Sequence, residues 1–282
     1  MTKIAVSTGH QPLGLIVWQF LVSIIILGGF VFFKRIRIII NRQTMLFFIV
    51  IALIGTIVPN SVSYFAAAQL PAGVMAIIIA SVPMFALLTA LLLRLERFSL
   101  IRIIGVLLGI AAIILLIGPD TSLPEPEKAI FVLIALIAPL SYGLEGNYVE
   151  TQLSKNYEPI AVIFSASIIG FIIVIPLAIV TGSWVDMTAP WGAPEFALIC
   201  SSLIHAFVYV AYMWMVNVSG AVFACQVAYI VTIAGVFYSA LFLHESYSGW
   251  VWTSLILMIC GLVLVQPRNT KAGKPGCAVK SE

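Results

Sequence analysis

Nine apolar stretches follow one another along the chain, each near the roughly 20 residues that a helix needs to cross the hydrocarbon core of a bilayer. They run over 13–33, 44–68, 71–93, 99–118, 128–150, 159–181, 191–216, 219–243 and 248–266. Runs of this length are about twice as long as a barrel strand and lack its period-two alternation. All nine are therefore predicted to be helices. Of the 282 residues, 62% are hydrophobic and 9% charged, against about 25% charged in a soluble domain. With a mean hydropathy of +1.15, the apolar side chains exceed what one core can hold and must also face lipid. The expected fold is an all-α membrane protein, a polytopic helical bundle of about nine transmembrane helices.

The net charge of +3 does not imply a nucleic-acid partner, because Lys and Arg fall in short runs between the apolar stretches rather than on one face. The first stretch is followed by Lys34, Arg35 and Arg37 and has no small-residue cleavage pattern, so it reads as a retained span. Cytoplasmic loops retain Lys and Arg, which sets the expected orientation. With the N-terminus outside, the inner segments carry Lys34, Arg35, Arg37, Arg42, Arg94, Arg97, Arg102, Lys155, Arg268, Lys271, Lys274 and Lys280, and the outer ones only Lys3 and Lys128. The outer loop from Asp120 to Glu127 is acidic. The C-terminus is thus expected in the cytoplasm, as a polar tail over 268–282, with the protein in the plasma (bacterial inner) membrane.

The chain also resembles itself. YFAAAQLPAGVMAIIIA from Tyr64 lies over YMWMVNVSGAVFACQVA from Tyr212, so that Gln69 meets Asn217, and Ala72, Ala76 and Ala80 meet Gly220, Ala224 and Ala228. One residue of offset later, Glu96 meets Glu245, Gly105 meets Ser254 and Ala112 meets Gly261; near the front, Pro12 meets Pro159. Spans 1 to 4 thereby pair with spans 6 to 9 in opposite orientations, an inverted repeat of the kind transporters carry. Span 5 has no partner, and the symmetry would be completed by one more span before Met1. The expected organisation is a first, incomplete repeat of four spans over 1–118 and a second of five spans over 128–267.

These features resemble the EamA-like unit of the drug/metabolite transporter superfamily. The resemblance rests on the Tyr64 segment, its small-residue helix, LLLRLERFS from Leu91 followed by Gly105, and, in the second copy, ALFLHESYSG from Ala240 with a span through Gly261. It implies two inverted helical units and the movement of small metabolites, often outward.

Small residues four apart in spans 3 and 8, and Gly105 with Gly109 in span 4, are expected to be packing faces. Ionisable groups within spans are costly and more telling. Glu145 lies in the polar run Ser141, Tyr142, Glu145, Asn147, Tyr148 and is a candidate proton site; the alternative is a carboxyl bonded to Asn147 or a tyrosine hydroxyl. His205, Tyr209 and Tyr212 share one helix face, as candidates for substrate contact and, at His205, for proton coupling. Asn60 and Tyr64 form the matching stripe in span 2, beside Pro59. Gln226 and Tyr229 in span 8, with Trp18 and Gln19 in span 1, complete the candidate substrate-binding set. Trp184, Trp191, Trp250 and Trp252 read as an interfacial belt, and Glu96 and Glu245 as caps or ion pairs at equivalent turns.

Cys200, Cys225, Cys260 and Cys277 lie far apart and read as buried fillers or a free tail thiol, with no metal site. His244-Glu245 lacks the second His of a zinc-protease helix, and no phosphate loop or GxSxG stands in the sequence. No enzyme and no cofactor are expected. The expected function is transport, as an exporter of small neutral, zwitterionic or cationic metabolites such as amino acids, by alternating access with proton coupling. The alternative is a non-transporting membrane binding or assembly protein. The partners are the lipid bilayer, a small-molecule substrate and protons.

Overall fold

The computed structural model describes residues 2–7, 9–119, 123, 125–153, 157–188 and 191–266. Lys155, Cys277, Asp120 and the four tail cations invoked for orientation lie outside the described residues. A helix stands at each of the nine predicted windows: α1 (Pro12–Phe33), α2 (Arg42–Gln69), α3 (Ala72–Leu92), α4 (Leu100–Ile117), α5 (Pro126–Gln152), α6 (Pro159–Val180), α7 (Ala193–Ser219), α8 (Ala221–Phe242) and α9 (Gly249–Val265). The first eight are long and apolar enough to cross a membrane, and α9 is shorter at 17 residues. A single helical turn, Thr2–Ala5, precedes them.

The helix starts follow local chemistry. Pro12, Pro159 and Pro194 occupy first-turn positions of α1, α6 and α7, where the missing N–H would have no intrahelical partner anyway. Asn41 and Thr44 form a reciprocal capping box at the start of α2, with bonds of 2.9 and 2.8 Å. Between α7 and α8 stands only Gly220, at φ +85°. That backbone region suits glycine, and a Cβ there would also press on the Glu150 carboxylate at 3.2 Å.

Four helices depart from regular α geometry, and one of them, α5, starts as a 3-10 turn over Pro126–Lys128 and breaks at Leu136. Residues Ile51–Ile57 of α2 form a π-helical stretch. α3 breaks at Ala80–Ser81, just before Pro83, and its repeat mate α8 tightens to a 3-10 turn over Cys225–Val227. Both halves of the repeat thus interrupt the same helix, which is tolerable in a membrane where neighbouring groups take up the freed backbone.

Glycine permits the closest contacts. Gly105 of α4 and Gly261 of α9 face each other so tightly that a Cβ on either would lie 2.7 or 2.6 Å from the other's carbonyl oxygen. In lipid such backbone proximity replaces the hydrophobic drive that packs helices in water. Between the repeats, Ala76 of α3 meets Gly235 of α8. The exposed Cys200 and Cys260 correct the expectation of buried fillers, which holds only for Cys225. Apolar thiols on the outer faces of α7 and α9 suffer no penalty where the surroundings are hydrocarbon.

Glu245 and Glu150 tie the helix junctions at the two ends of the bundle. The Glu245 carboxylate, in the loop after α8, accepts from the N–H of Ala72 at 3.0 Å and of Gly73 at 3.3 Å, capping α3 across the repeat boundary. Tyr247 Oη donates to the same carboxylate at 2.5 Å and accepts from Gly73 N–H at 3.1 Å. Burial first, and then the adjacent carboxylate, push that phenol up to about 12, so it stays a donor throughout the physiological range. At the other end Glu150 accepts from Ala221 N–H at 2.8 Å. Glu96, the repeat mate of Glu245, instead pairs with Arg102 at 2.9 Å.

Two stability outcomes follow from these contacts. Gly105→Leu is expected to lower the melting temperature of the purified protein by forcing α4 from α9, an overpacking cost of about 1–3 kcal/mol. Glu245→Ala is expected to cost about 1–2 kcal/mol, the usual loss for a missing cap; a melting curve unchanged by it would show that the α3 junction is held otherwise.

Candidate functional site

A cavity of about 820 Å³ lies between the repeats, at the end of the bundle that carries the 70–71 junction and the 243–248 loop. Its walls come from α1, α2, α3, α5, α7 and α8, and the Thr2–Ala5 turn sits in its mouth. Toward the opposite end the space is filled. There Leu27, Phe47, Phe48, Val149, Val162, Met213 and Val216 form a buried cluster, and the Phe47 ring lies 5.7 Å from Tyr148 and 5.8 Å from Tyr157. The cavity therefore ends short of that cluster.

Four of the residues singled out in the sequence line it: Gln19, Asn60, Tyr64 and His205. Three of them are joined by hydrogen bonds to one another and to Tyr142. Asn60 Nδ2 donates to Gln19 Oε1 at 3.0 Å, Tyr64 Oη donates to the same oxygen at 3.3 Å, and Tyr142 Oη donates to Asn60 Oδ1 at 2.8 Å. This arc crosses α1, α2 and α5, so a ligand that bonds one member disturbs groups on three helices. The Ser63 hydroxyl, also on the wall, has no partner within the structure.

Glu145 is buried behind the cavity and does not line it. Its carboxylate accepts a hydrogen bond from Tyr209 Oη. Both groups press against Gly55 in the π-helical stretch of α2, where a Cβ has no room. Asn147 takes no part, since its Nδ2 donates to Ala86 O at 2.8 Å and Thr89 Oγ1 at 2.6 Å on α3. His205 stands between the two regions, with its ring centroid 5.3 Å from that of Tyr209.

The remaining candidates lie elsewhere. Tyr212 Oη contacts Cys225 Sγ at 3.3 Å, in the filled half. Gln226 Nε2 reaches Val222 O at 3.4 Å, and Tyr229 Oη accepts from Gln266 Nε2 at 3.2 Å toward the end of α9. Trp18 Nε1 donates to Val185 O at 2.9 Å and its ring packs 6.0 Å from Trp184, so it anchors the loop after α6.

Tyr142, Ser63, Ser201, Tyr238, Ser239 and Lys3 also line the cavity and were not singled out as contacts. Tyr142 stands in the polar run around Glu145, which was its signal. The sequence marks Lys3 as an outer-segment cation and not as a wall residue; its Nζ donates to Ala67 O and Leu70 O, each at 2.8 Å, at the end of α2. Among the described residues no group of three His, Cys, Asp or Glu side chains is arranged to hold a metal ion.

The EamA-like transporter family matches residues 1–118 and 129–266. Solved structures of 20 chains also match. One, described simply as "Crystal structure of protein", has a TM-score of 0.65 over 92% of this chain and 90% of its own. At 15% identity, that likeness is one of fold. No curated protein matches the sequence. That family match, over nearly the whole of the nine-helix region, shows that the chain belongs to the EamA-like transporter family.

Proposed function

We propose that this transporter moves small neutral, zwitterionic or cationic metabolites, with amino acids and related amines as the first class to test, and that it does so by alternating access. The observation that carries the reading is the cavity itself: about 820 Å³ with mostly apolar walls and one polar arc, the composition of a small-molecule site. Among the described residues Lys3 at the mouth is the one Lys, Arg, Asp or Glu on its walls. A multiply anionic ligand would find no charge partner deeper in. An ammonium group would meet the faces and hydroxyls of Tyr64 and Tyr142, which attract cations.

The two repeats, 1–118 and 128–267, are the moving bodies, and the Gln19–Asn60–Tyr142 arc is the point where a ligand biases them. Glu145 and His205 carry the coupling protons. Among the described residues, Lys34, Arg35, Arg37, Arg42, Arg94, Arg97 and Arg102 stand at the closed end and Lys3 and Lys128 at the open end. By the positive-inside rule the closed end is cytoplasmic and the N-terminus outside. In a bacterial inner membrane the cavity then faces outward, as an exporter's does when it releases its load.

The test is counterflow of labelled amino acids and small amines in proteoliposomes, with and without an inward pH gradient. Asn60→Ala leaves Gln19 and Tyr142 short of a buried partner, which costs about 1–3 kcal/mol and is expected to slow counterflow roughly tenfold or more. Glu145→Gln and His205→Ala are expected to abolish gradient-driven flux while the protein still assembles as a monodisperse species. Flux that ignores both the gradient and these substitutions would remove proton coupling from the mechanism.

A further inference from the structure

Between α1, α2, α6 and α7 runs a narrow crevice lined by Gln19, Phe20, Ser23, Thr56, Ile163, Ala166, Ser167, His205 and Tyr209. It shares Gln19 and His205 with the main cavity. Its free volume is about 10 Å³, room for about one water molecule. Ser23, Thr56 and Ser167, each carrying a hydroxyl, are among its lining residues, and a water needs two to four polar partners. At its far side stands Tyr209, whose hydroxyl already donates to Glu145.

We propose that this crevice is a water site and that Tyr209 relays protons through it between the substrate cavity and Glu145. The inference deepens the coupled-transport reading and rests on it for its purpose. A proton entering from the cavity adds to the crevice water, which passes one proton to Tyr209 Oη as the phenolic proton moves onto Glu145 Oε1. Glu145 gains one proton and the cavity loses one; release runs the same steps backward. Tyr209 is thus a positioning and relay residue, and Glu145 receives no ligand directly.

The surroundings fit this assignment from every side. α7 sets Tyr209 against Glu145 and Tyr212 beside Gly146 next to it, Tyr212 contacts Cys225 of α8, Tyr142 stands on α5 itself, and α2 sets Gly55 against the carboxylate, with Thr56 beside it in the crevice. His205 stands behind Tyr209. No Lys or Arg among the described residues pairs with the carboxylate. Among the described residues its hydrogen-bond donor is Tyr209, a residue of the crevice wall. The π-helical stretch is part of the device, because Gly55 leaves the carboxylate and phenol room to meet.

Infrared spectroscopy of the full chain in phosphatidylethanolamine–phosphatidylglycerol liposomes tests this without a transported substrate. The carbonyl band of a protonated buried carboxyl is assigned to Glu145 by its loss in Glu145→Gln, and its shift is followed after a jump into D2O. Tyr209→Phe, and separately Thr56→Val with Ser167→Ala, are expected to slow that exchange roughly 10- to 100-fold, the scale of a lost proton-transfer group, with the melting temperature little changed. Equal exchange rates in wild type and all of these variants would overturn the relay, as would the lack of any Glu145-dependent band across the pH range where the protein stays folded. If exchange slows as expected but no metabolite is carried, the transport reading fails and the relay stands. Gradient-driven flux with exchange unaffected leaves transport intact and removes Tyr209 from the path.

Discussion

A polar group inside hydrocarbon has no water to fall back on, so each one must find its partner within the protein. That constraint shapes most of what is distinctive here. Ser81, Thr89, Thr232 and Ser254 turn their hydroxyls onto backbone carbonyls. Glu245 and Glu150 sit on the exposed amides of interrupted helices. Lys3 answers the carbonyls at the end of α2. What is left after these pairings is informative: the arc of Gln19, Asn60, Tyr64 and Tyr142 bonds side chain to side chain while facing open space. Such an arrangement can exchange its internal bonds for bonds to a ligand at little net cost.

The two ends of the molecule manage the inverted repeat differently. At the open end the α2–α3 junction is bracketed by Lys3 on one side and Glu245 on the other. At the closed end the α7–α8 junction is a single glycine held by Glu150, and Glu96, which the sequence places opposite Glu245, is occupied by Arg102. Two units of related sequence are thus held in different arrangements at once. That asymmetry leaves a cavity on one side of the bundle and a packed cluster on the other.

The spans and their order were legible because hydropathy over some 20 residues is a strong, local signal. The repeat was legible because its small residues recur at fixed spacing. The site was legible only in part. Helical periodicity places His205, Tyr209 and Tyr212 on one face, but depth decides their surroundings: His205 reaches the cavity, whereas Tyr212 lies in the filled half. Trp18 and Gln19 are neighbours, and side chains one residue apart on a helix point about 100° apart, so only Gln19 faces inward while Trp18 meets Val185. The Glu245–Ala72 cap joins residues 173 positions apart, and nothing local announces it. Tyr142 stands in a polar run whose charged member, Glu145, is the costlier group in a membrane, yet the tyrosine lines the cavity and the glutamate does not.

The π-helical stretch at Ile51–Ile57 bears on how sequences of this kind should be lined up. A wide turn holds one residue more than an α turn, so the face that α2 shows after Ile57 is rotated relative to the face before it. Phe47, Phe48 and Ile51, before that stretch or at its start, belong to the packed cluster, and Asn60, Tyr64 and Ala67, after it, line the cavity. A relative that lacks one residue here would keep the same hydropathy and span length, yet would turn its equivalents of Asn60 and Tyr64 away from the cavity. A gap placed inside a membrane helix, normally penalised as implausible, would at this position be the physically faithful alignment.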